Sequence, residues 1–298
     1  MTFKLKGNFP ALITPMTKDL EIDFESLRKF VDFQIENGVD GLLVCGTTGE
    51  SATMSHAEHK KVVETVVDQA NGKCQVLAGT GSNSTREAID LTEHAENVGA
   101  DASMLICPYY NKPTQRGLIN HFKIVAGKTE LPVVLYNVPS RTGRNIEAET
   151  TIELSKVSNI IGIKEASGNV GQIMKIIKET DSKNFSVISG DDSLTFTICA
   201  LGGTGIISVA TNVVPQLMSE YVHKLLDGKY EEARKDHYKL YDLFKILFIE
   251  TNPGPVKEAA RIFKVGGIEN WYLRPPLIKT TAESSEKIKK VIDELNVY

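Results

Sequence analysis

A lysine closes the apolar run Ile160-Ile161-Gly162-Ile163. Lys164 stands where a buried strand should end, and burial strips an ammonium of its hydration. That loss lowers a lysine's pKa, and the neutral amine is a nucleophile toward carbonyl carbon. The position points to Schiff-base chemistry. Taken alone it better fits a strand-end lysine whose stem snorkels to solvent, so its companions must decide.

Other reactive groups follow other apolar runs. Gly46-Thr47-Thr48-Gly49-Glu50 comes after the run at 41–45. Two glycines around two hydroxyls make a plain turn, or leave backbone N–H groups to hold a carboxylate. Tyr109 and Tyr110, in Pro108-Tyr109-Tyr110-Asn111-Lys112-Pro113, suit surface packing or an interface as well as a site. Tyr136 ends the run at 133–136, so its hydroxyl needs a partner; a structural hydrogen bond and a proton-transfer phenol are both open. Arg141, in Pro139-Ser140-Arg141-Thr142-Gly143, is either a solvated turn residue or a bidentate clamp for a carboxylate.

Other motifs carry less. Gly79-Thr80-Gly81 lacks the third glycine of a dinucleotide fingerprint and follows the third run, not the first. His56-Ala57-Glu58-His59 is not the zinc-protease spacing and has no third ligand in view, so no metal is expected. His94, His121, His223 and His237 read as structural or exposed. Asp191-Asp192 after Gly190 reads as a helix N-cap rather than a metal pair.

What must position these groups is a set of eight short apolar runs, at 9–14, 41–45, 75–79, 103–107, 133–136, 160–164, 185–189 and 205–209. They are continuous rather than alternating, as suits parallel strands covered on both faces. Helical patterns lie between them. Asp23 is a fitting N-cap for Phe24, Leu27, Phe30 and Val31, and Ser55-His56-Ala57-Glu58 reads as a capping box. Such spacing predicts an α/β fold, a (β/α)8 TIM barrel, with the reactive residues gathered on the rim at the strands' C-terminal ends. A doubly wound open sheet predicts fewer strands and a Gly-rich loop after the first. Beyond about Pro215 only helical spacing remains. The expected division is a catalytic barrel at 1–225 and a C-terminal helical region at 226–298.

The 298 residues carry a net charge of −4, with 41% hydrophobic and 24% charged residues, so no bulk field favours nucleic acid or an anionic membrane. The four cysteines form no CxxC pair, and small buried thiols in a reducing compartment fit better than a disulfide framework. No leader pattern opens the chain, and no apolar stretch nears the roughly 20 residues of a membrane span. A cytoplasmic soluble protein is expected.

These motifs, in this order, resemble those of the dihydrodipicolinate synthases, within the pyruvate-dependent class I aldolase and N-acetylneuraminate lyase superfamily. The likeness runs from Phe9-Pro10-Ala11-Leu12-Ile13-Thr14-Pro15 to Arg274-Pro275-Pro276-Leu277. It implies condensation of pyruvate with L-aspartate 4-semialdehyde to 4-hydroxy-tetrahydrodipicolinate, the first committed step toward diaminopimelate and lysine, without metal or organic cofactor. It makes Lys164 the Schiff-base residue, and Thr47, Tyr136 and Tyr110 a proton relay, with Tyr110 inserted from a neighbouring subunit. It assigns Thr48 and nearby amides to the pyruvate carboxylate, Arg141 to the second substrate's carboxylate, and backbone contacts to Gly190 and Ile207.

The resemblance extends to regulation. Ser51, Ala52, His56, His59, Asn83, Glu87 and Tyr109 match the positions at which sensitive relatives bind L-lysine, at a dimer-interface cleft. It also implies a homotetramer, a dimer of dimers. One departure, Gly254 where relatives often carry an apolar residue, concerns the C-terminal helices and weakens the tetramer expectation. The rival reading is a sister aldolase acting on N-acetylneuraminate or a 2-keto-3-deoxy sugar acid. Arg141 and the Thr47-Thr48 pair argue against it.

Overall fold

Eight parallel strands form one sheet among the described residues: β1 (Gly7–Pro10), β2 (Gly41–Val44), β3 (Gln75–Gly79), β4 (Ala102–Ile106), β5 (Val133–Asn137), β6 (Ile160–Glu165), β7 (Ser186–Ser189) and β8 (Gly205–Ser208). These coordinates are a computed structural model that describes residues 3–296. Each strand from β2 to β8 pairs with its sequence neighbours, and β8 pairs with β1. The remaining gap closes through a parallel bridge between Ala11 and Leu43, with the Leu12 amide donating to the Leu43 carbonyl at 2.9 Å. The sheet is thus a (β/α)8 barrel, as the run spacing predicts.

The first strand differs from its apolar run. It starts at Gly7 and ends at Pro10. The Ile13 amide donates to the Asn212 side chain and the Thr14 hydroxyl to the Gly49 carbonyl. Ala11 and Leu12 thus still pair with the neighbouring strands, while Ile13 and Thr14 brace the rim.

The helices of the barrel are α1 (Phe24–Glu36), α2 (His56–Ala70), α3 (Thr85–Asn97), α4 (Gln115–Ala126), α5 (Pro139–Thr142), α6 (Ala148–Leu154), α7 (Val170–Glu179), α8 (Thr195–Ala200) and α9 (Pro215–Leu226). The expected caps form. Asp23 accepts from the Ser26 amide, and Ser55 with Glu58 makes the reciprocal capping box. The C-terminal helices α10 (Tyr230–Ile246), α11 (Gly254–Ile262) and α12 (Ala282–Leu295) follow.

Strand alternation separates two cores. Phe9, Leu43, Leu77, Met104, Val134, Ile188 and Ile207 fill the barrel interior, while Leu105, Val133, Leu135, Ile163 and Val187 face the helices. Successive side chains on a strand point to opposite faces. On β6 the odd residue Ile163 therefore goes outward, and Lys164 goes into the barrel.

Candidate active site

Lys164 is 5% exposed, inside the barrel near its C-terminal rim. Burial pushes its pKa down to about 7; Arg141 lowers it further and Asp192 partly offsets the shift. The snorkelling alternative is thereby removed, because the side chain is buried inside the barrel. Its Nζ lies 4.4 Å from the centroid of the Tyr136 ring, and the two residues occupy paired positions on β5 and β6.

Gly190 shapes the space for that amine. The chain continues the β6 pairing one residue past β7, its Gly190 amide donating to the Glu165 carbonyl at 2.8 Å. A Cβ at Gly190 would stand 2.8 Å from the Ala166 Cβ and 3.0 and 3.1 Å from Lys164 Cε and Cγ. Only a residue without a side chain lets the lysine stem pass.

Tyr136 is buried, which raises the pKa of its phenol; Arg141 and a hydrogen bond with the Thr47 side chain pull it back. Gly46 to Gly49 form a tight turn in which the Gly49 and Glu50 amides donate to the Gly46 and Thr47 carbonyls, both at 3.1 Å. Those two amides are consumed by the turn and cannot meet a carboxylate. Thr48 is buried, and its hydroxyl oxygen accepts from the Asn252 Nδ2 at 3.0 Å. Its own proton is then free to donate to a ligand.

Thr47, Thr48, Tyr136, Arg141, Lys164 and Gly190 share one cavity of about 400 Å³, with Asn252 on its wall. Arg141, in the single-turn helix α5, lies at its exposed edge. Ile207 is buried in the barrel interior below. Tyr110 is not on this wall: it is 90% exposed, with a left-handed backbone (φ 70°), and its side chain projects away from its own barrel.

A second cavity of about 350 Å³ adjoins the first through Thr47, Tyr136 and Arg141. Six of the seven positions matched to lysine binding line it: Ser51, Ala52, His56, His59, Glu87 and Tyr109. Asn83 does not. Its Nδ2 instead donates to the Tyr109 carbonyl at 3.2 Å, while Asn111 donates to the Asn83 carbonyl at 2.9 Å, so it fixes the tyrosine loop. Burial pushes His59 down to about 4, which keeps it neutral. Its Nε2 bonds the Gly79 carbonyl at 2.9 Å and must carry the proton there. His56 lies 4.0 Å from the Glu87 carboxylate, which also accepts from the Ser82 hydroxyl.

With this geometry in place, the chain can be compared with known proteins. The sequence model of the dihydrodipicolinate synthetase family matches residues 4–295. The chain belongs to that family. It is 50% identical to the 4-hydroxy-tetrahydrodipicolinate synthase of Methanocaldococcus jannaschii over 98% of this chain and 99% of the relative. It is 48% identical to that of Methanosarcina barkeri over the same shares. The crystal structure of dihydrodipicolinate synthase from Aquifex aeolicus superposes with a TM-score of 0.95 at 46% identity, covering 98% of this chain and 99% of that one. Two further family structures hold ligands. The Acinetobacter baumannii enzyme is complexed with pyruvate (39% identity, TM-score 0.94, 99% and 100% covered), and the Cyanidioschyzon merolae enzyme has lysine bound (37% identity, TM-score 0.93, 98% and 99% covered). The chain is therefore an enzyme of this family.

Three contributors escaped the sequence reading. Asp191 is the expected cap, accepting from the Ser193 amide, but Asp192 turns inward and is 3% exposed. Asn252 reaches Thr48 from the segment before α11. The fully buried pair Glu50–Lys257 ties α11 to the Thr47 turn, with Lys257 also donating to the Tyr272 carbonyl and Glu50 accepting from the Arg274 amide. The Gly254 departure itself stays among C-terminal residues, nearest the Ile278 carbonyl and Thr280. Nothing local marks Asn252 or Lys257, because their partners lie about 200 residues away.

Proposed function

We propose that this enzyme condenses pyruvate with L-aspartate 4-semialdehyde through a Lys164 Schiff base, giving 4-hydroxy-tetrahydrodipicolinate for diaminopimelate and lysine synthesis. The observation that carries the reading is a buried amine with a pKa near 7 facing the Tyr136 ring inside the barrel. A substantial fraction is neutral at physiological pH, as attack on a ketone requires.

In this reading the Lys164 lone pair adds to C2 of pyruvate while the Thr48 hydroxyl and the Thr47 and Thr48 amides hold its carboxylate. The nitrogen's proton passes to the former carbonyl oxygen, which takes one more proton and leaves as water. Loss of a methyl proton from the resulting iminium gives an enamine, and its carbon attacks the aldehyde. Thr47 and Tyr136 form the relay, since hydroxyl and phenol can pass protons without holding net charge. Tyr110 completes it from a neighbouring subunit, a role that suits its outward, exposed position. Arg141 anchors the aldehyde's carboxylate at the mouth, while Gly190 and Ile207 line the site through backbone contacts.

The proposal includes feedback by L-lysine at the adjoining cavity, where Glu87 faces His56 and can pair with an ammonium. It also includes a cytoplasmic homotetramer built as a dimer of dimers. Among the described residues no helix is long and apolar enough to cross a membrane.

Borohydride reduction with pyruvate, followed by peptide mapping, tests the covalent step; a pyruvate adduct on Lys164 is expected, and its absence overturns the reading. Substrate choice is tested by comparing turnover of aspartate semialdehyde with cleavage of N-acetylneuraminate. Preference for the sugar acid would favour the sister aldolases.

A further inference from the structure

Arg141 can meet a carboxylate only where its turn puts it. Among the described residues its guanidinium makes no hydrogen bond or ion pair, so the backbone of α5 sets its place. That backbone is wound on itself. The Arg141 and Thr142 amides donate to the Val138 carbonyl at 2.9 and 3.1 Å, and the Thr142 hydroxyl donates to the Arg144 carbonyl at 2.8 Å. These bonds shape the turn but do not fix where it sits against the barrel.

One buried side chain ties the two ends of the turn together. Asn137, the last residue of β5, follows the inward Tyr136 and so faces away from the barrel interior. Its Oδ1 accepts from the Ile146 amide at 2.9 Å, and its Nδ2 donates to the Asn145 Oδ1 at 2.8 Å. Residues 138–145 are thereby closed into a loop whose ends meet on a single amide, with Arg141 near its middle.

Glu165 decides which way that amide points. It is buried on β6, in register with Asn137, and both its carboxylate oxygens lie 3.2 Å from the Asn137 Nδ2 that donates to them. It also accepts from the Ser167 amide at 2.8 Å and from the Gln172 Nε2 of α7 at 3.1 Å. Turned over, the Asn137 amide would set its oxygen against the carboxylate and its NH2 against the Ile146 N–H, two repulsions with no hydrogen bond in return. The strand alternation that sends Lys164 inward sends Glu165 outward, so the proposed nucleophile and this brace are neighbours in sequence on opposite faces of the sheet.

We infer that Asn137, oriented by Glu165, is a positioning residue that holds the Arg141 turn at the mouth of the site. The inference rests on the reading in which Arg141 anchors the aldehyde's carboxylate, and deepens it by naming what places the anchor. Neither Asn137 nor Glu165 lines the cavity that Lys164 and Arg141 share, so the pair acts through Arg141 rather than on substrate.

The test is Asn137→Ala, alone and combined with Arg141→Ala, with thermal unfolding as a check on folding. Borohydride trapping at alkaline pH reads pyruvate capture, and initial rates read the KM for L-aspartate 4-semialdehyde. Loss of Asn137 alone should raise that KM at least about tenfold, as misplacement of an anchoring group does, while the pyruvate needed for half-trapping stays within about twofold. In the Arg141→Ala background the same change should leave the KM within about twofold, because no anchor remains to be misplaced. A merely structural residue would act equally in both backgrounds. A folded Asn137→Ala protein with the wild-type KM, an equal rise in both backgrounds, or pyruvate capture that weakens as much as aldehyde binding overturns the inference. Should that variant not fold, Glu165→Gln turns an NH2 group toward the donors around it and loosens the Asn137 amide; the same two backgrounds and the same readings then decide. Arg141→Ala with an unchanged KM defeats the carboxylate-anchor reading itself, a separable outcome.

Discussion

Tyr136 and Lys164 are cross-strand partners on β5 and β6, and the lysine nitrogen rests 4.4 Å from the tyrosine ring centroid. The ring face supports the ammonium through its quadrupole, while the hydroxyl at the ring's edge is tied to Thr47. In the proposed mechanism one side chain thus cradles the reacting nitrogen and opens the proton relay. The two roles can be separated. Tyr136→Phe keeps the ring and deletes the relay, so the borohydride adduct should still form but slowly, with kcat reduced about 10²–10³-fold. Unchanged kcat would remove Tyr136 from proton transfer.

Gly190→Ala inserts a methyl group 2.8–3.1 Å from Ala166 and the Lys164 stem. Either the lysine stem or the Ala166 methyl must shift to admit it. Stability should drop by about 1–3 kcal/mol, and pyruvate trapping should fall far more than that loss of fold would explain. Trapping at the wild-type rate would show that the stem adapts.

Lys164→Met should abolish the adduct and stabilise the fold. The folded-state pKa near 7 lies below that of an unfolded lysine, so the unfolded chain binds the extra proton and burial of the amine costs stability. That cost is complete below about pH 7 and vanishes as pH rises toward the unfolded value. Thermal unfolding should reveal a gain of roughly 2–4 kcal/mol at neutral pH, shrinking by pH 10. A destabilised Met variant would contradict the burial argument.

Arg141 lowers the Lys164 pKa. Arg141→Ala should therefore shift the acid limb of the pH–rate profile upward, since the amine then keeps its proton to higher pH. The KM for the aldehyde substrate should rise at least tenfold through loss of a bidentate carboxylate contact. A limb that moves downward would reverse the assigned electrostatics.

Millimolar L-lysine should inhibit turnover, and Glu87→Gln should weaken that inhibition at least tenfold by removing the ammonium's partner. Initial rates with and without lysine decide it; full activity at saturating lysine would remove the regulatory site from the proposal.

The barrel was legible because eight apolar runs alternate with capped helices, and caps such as Asp23 and the Ser55–Glu58 box are local chemistry. The rim was legible for a related reason: reactive residues follow strand ends, and strand ends can be counted. The boundary of β1 was not, because residues 11–14 are as apolar as a strand yet serve contacts with Leu43, Asn212 and Gly49. Asn83, expected in the lysine cleft, donates to the Tyr109 carbonyl, a side-chain direction that residue type does not encode.

The chain's sequence by itself determined the architecture and the order of the candidate residues, and it supplied the proposed nucleophile. Tertiary structure decided which way they face. A continuous apolar run hides its own alternation, so only the sheet register sends Ile163 outward and Lys164 inward. Asp191 and Asp192 are chemically identical neighbours, yet one caps a turn and the other is buried against Ser208 of β8. Desolvation, and with it the pKa near 7, arises only when distant segments close around the amine.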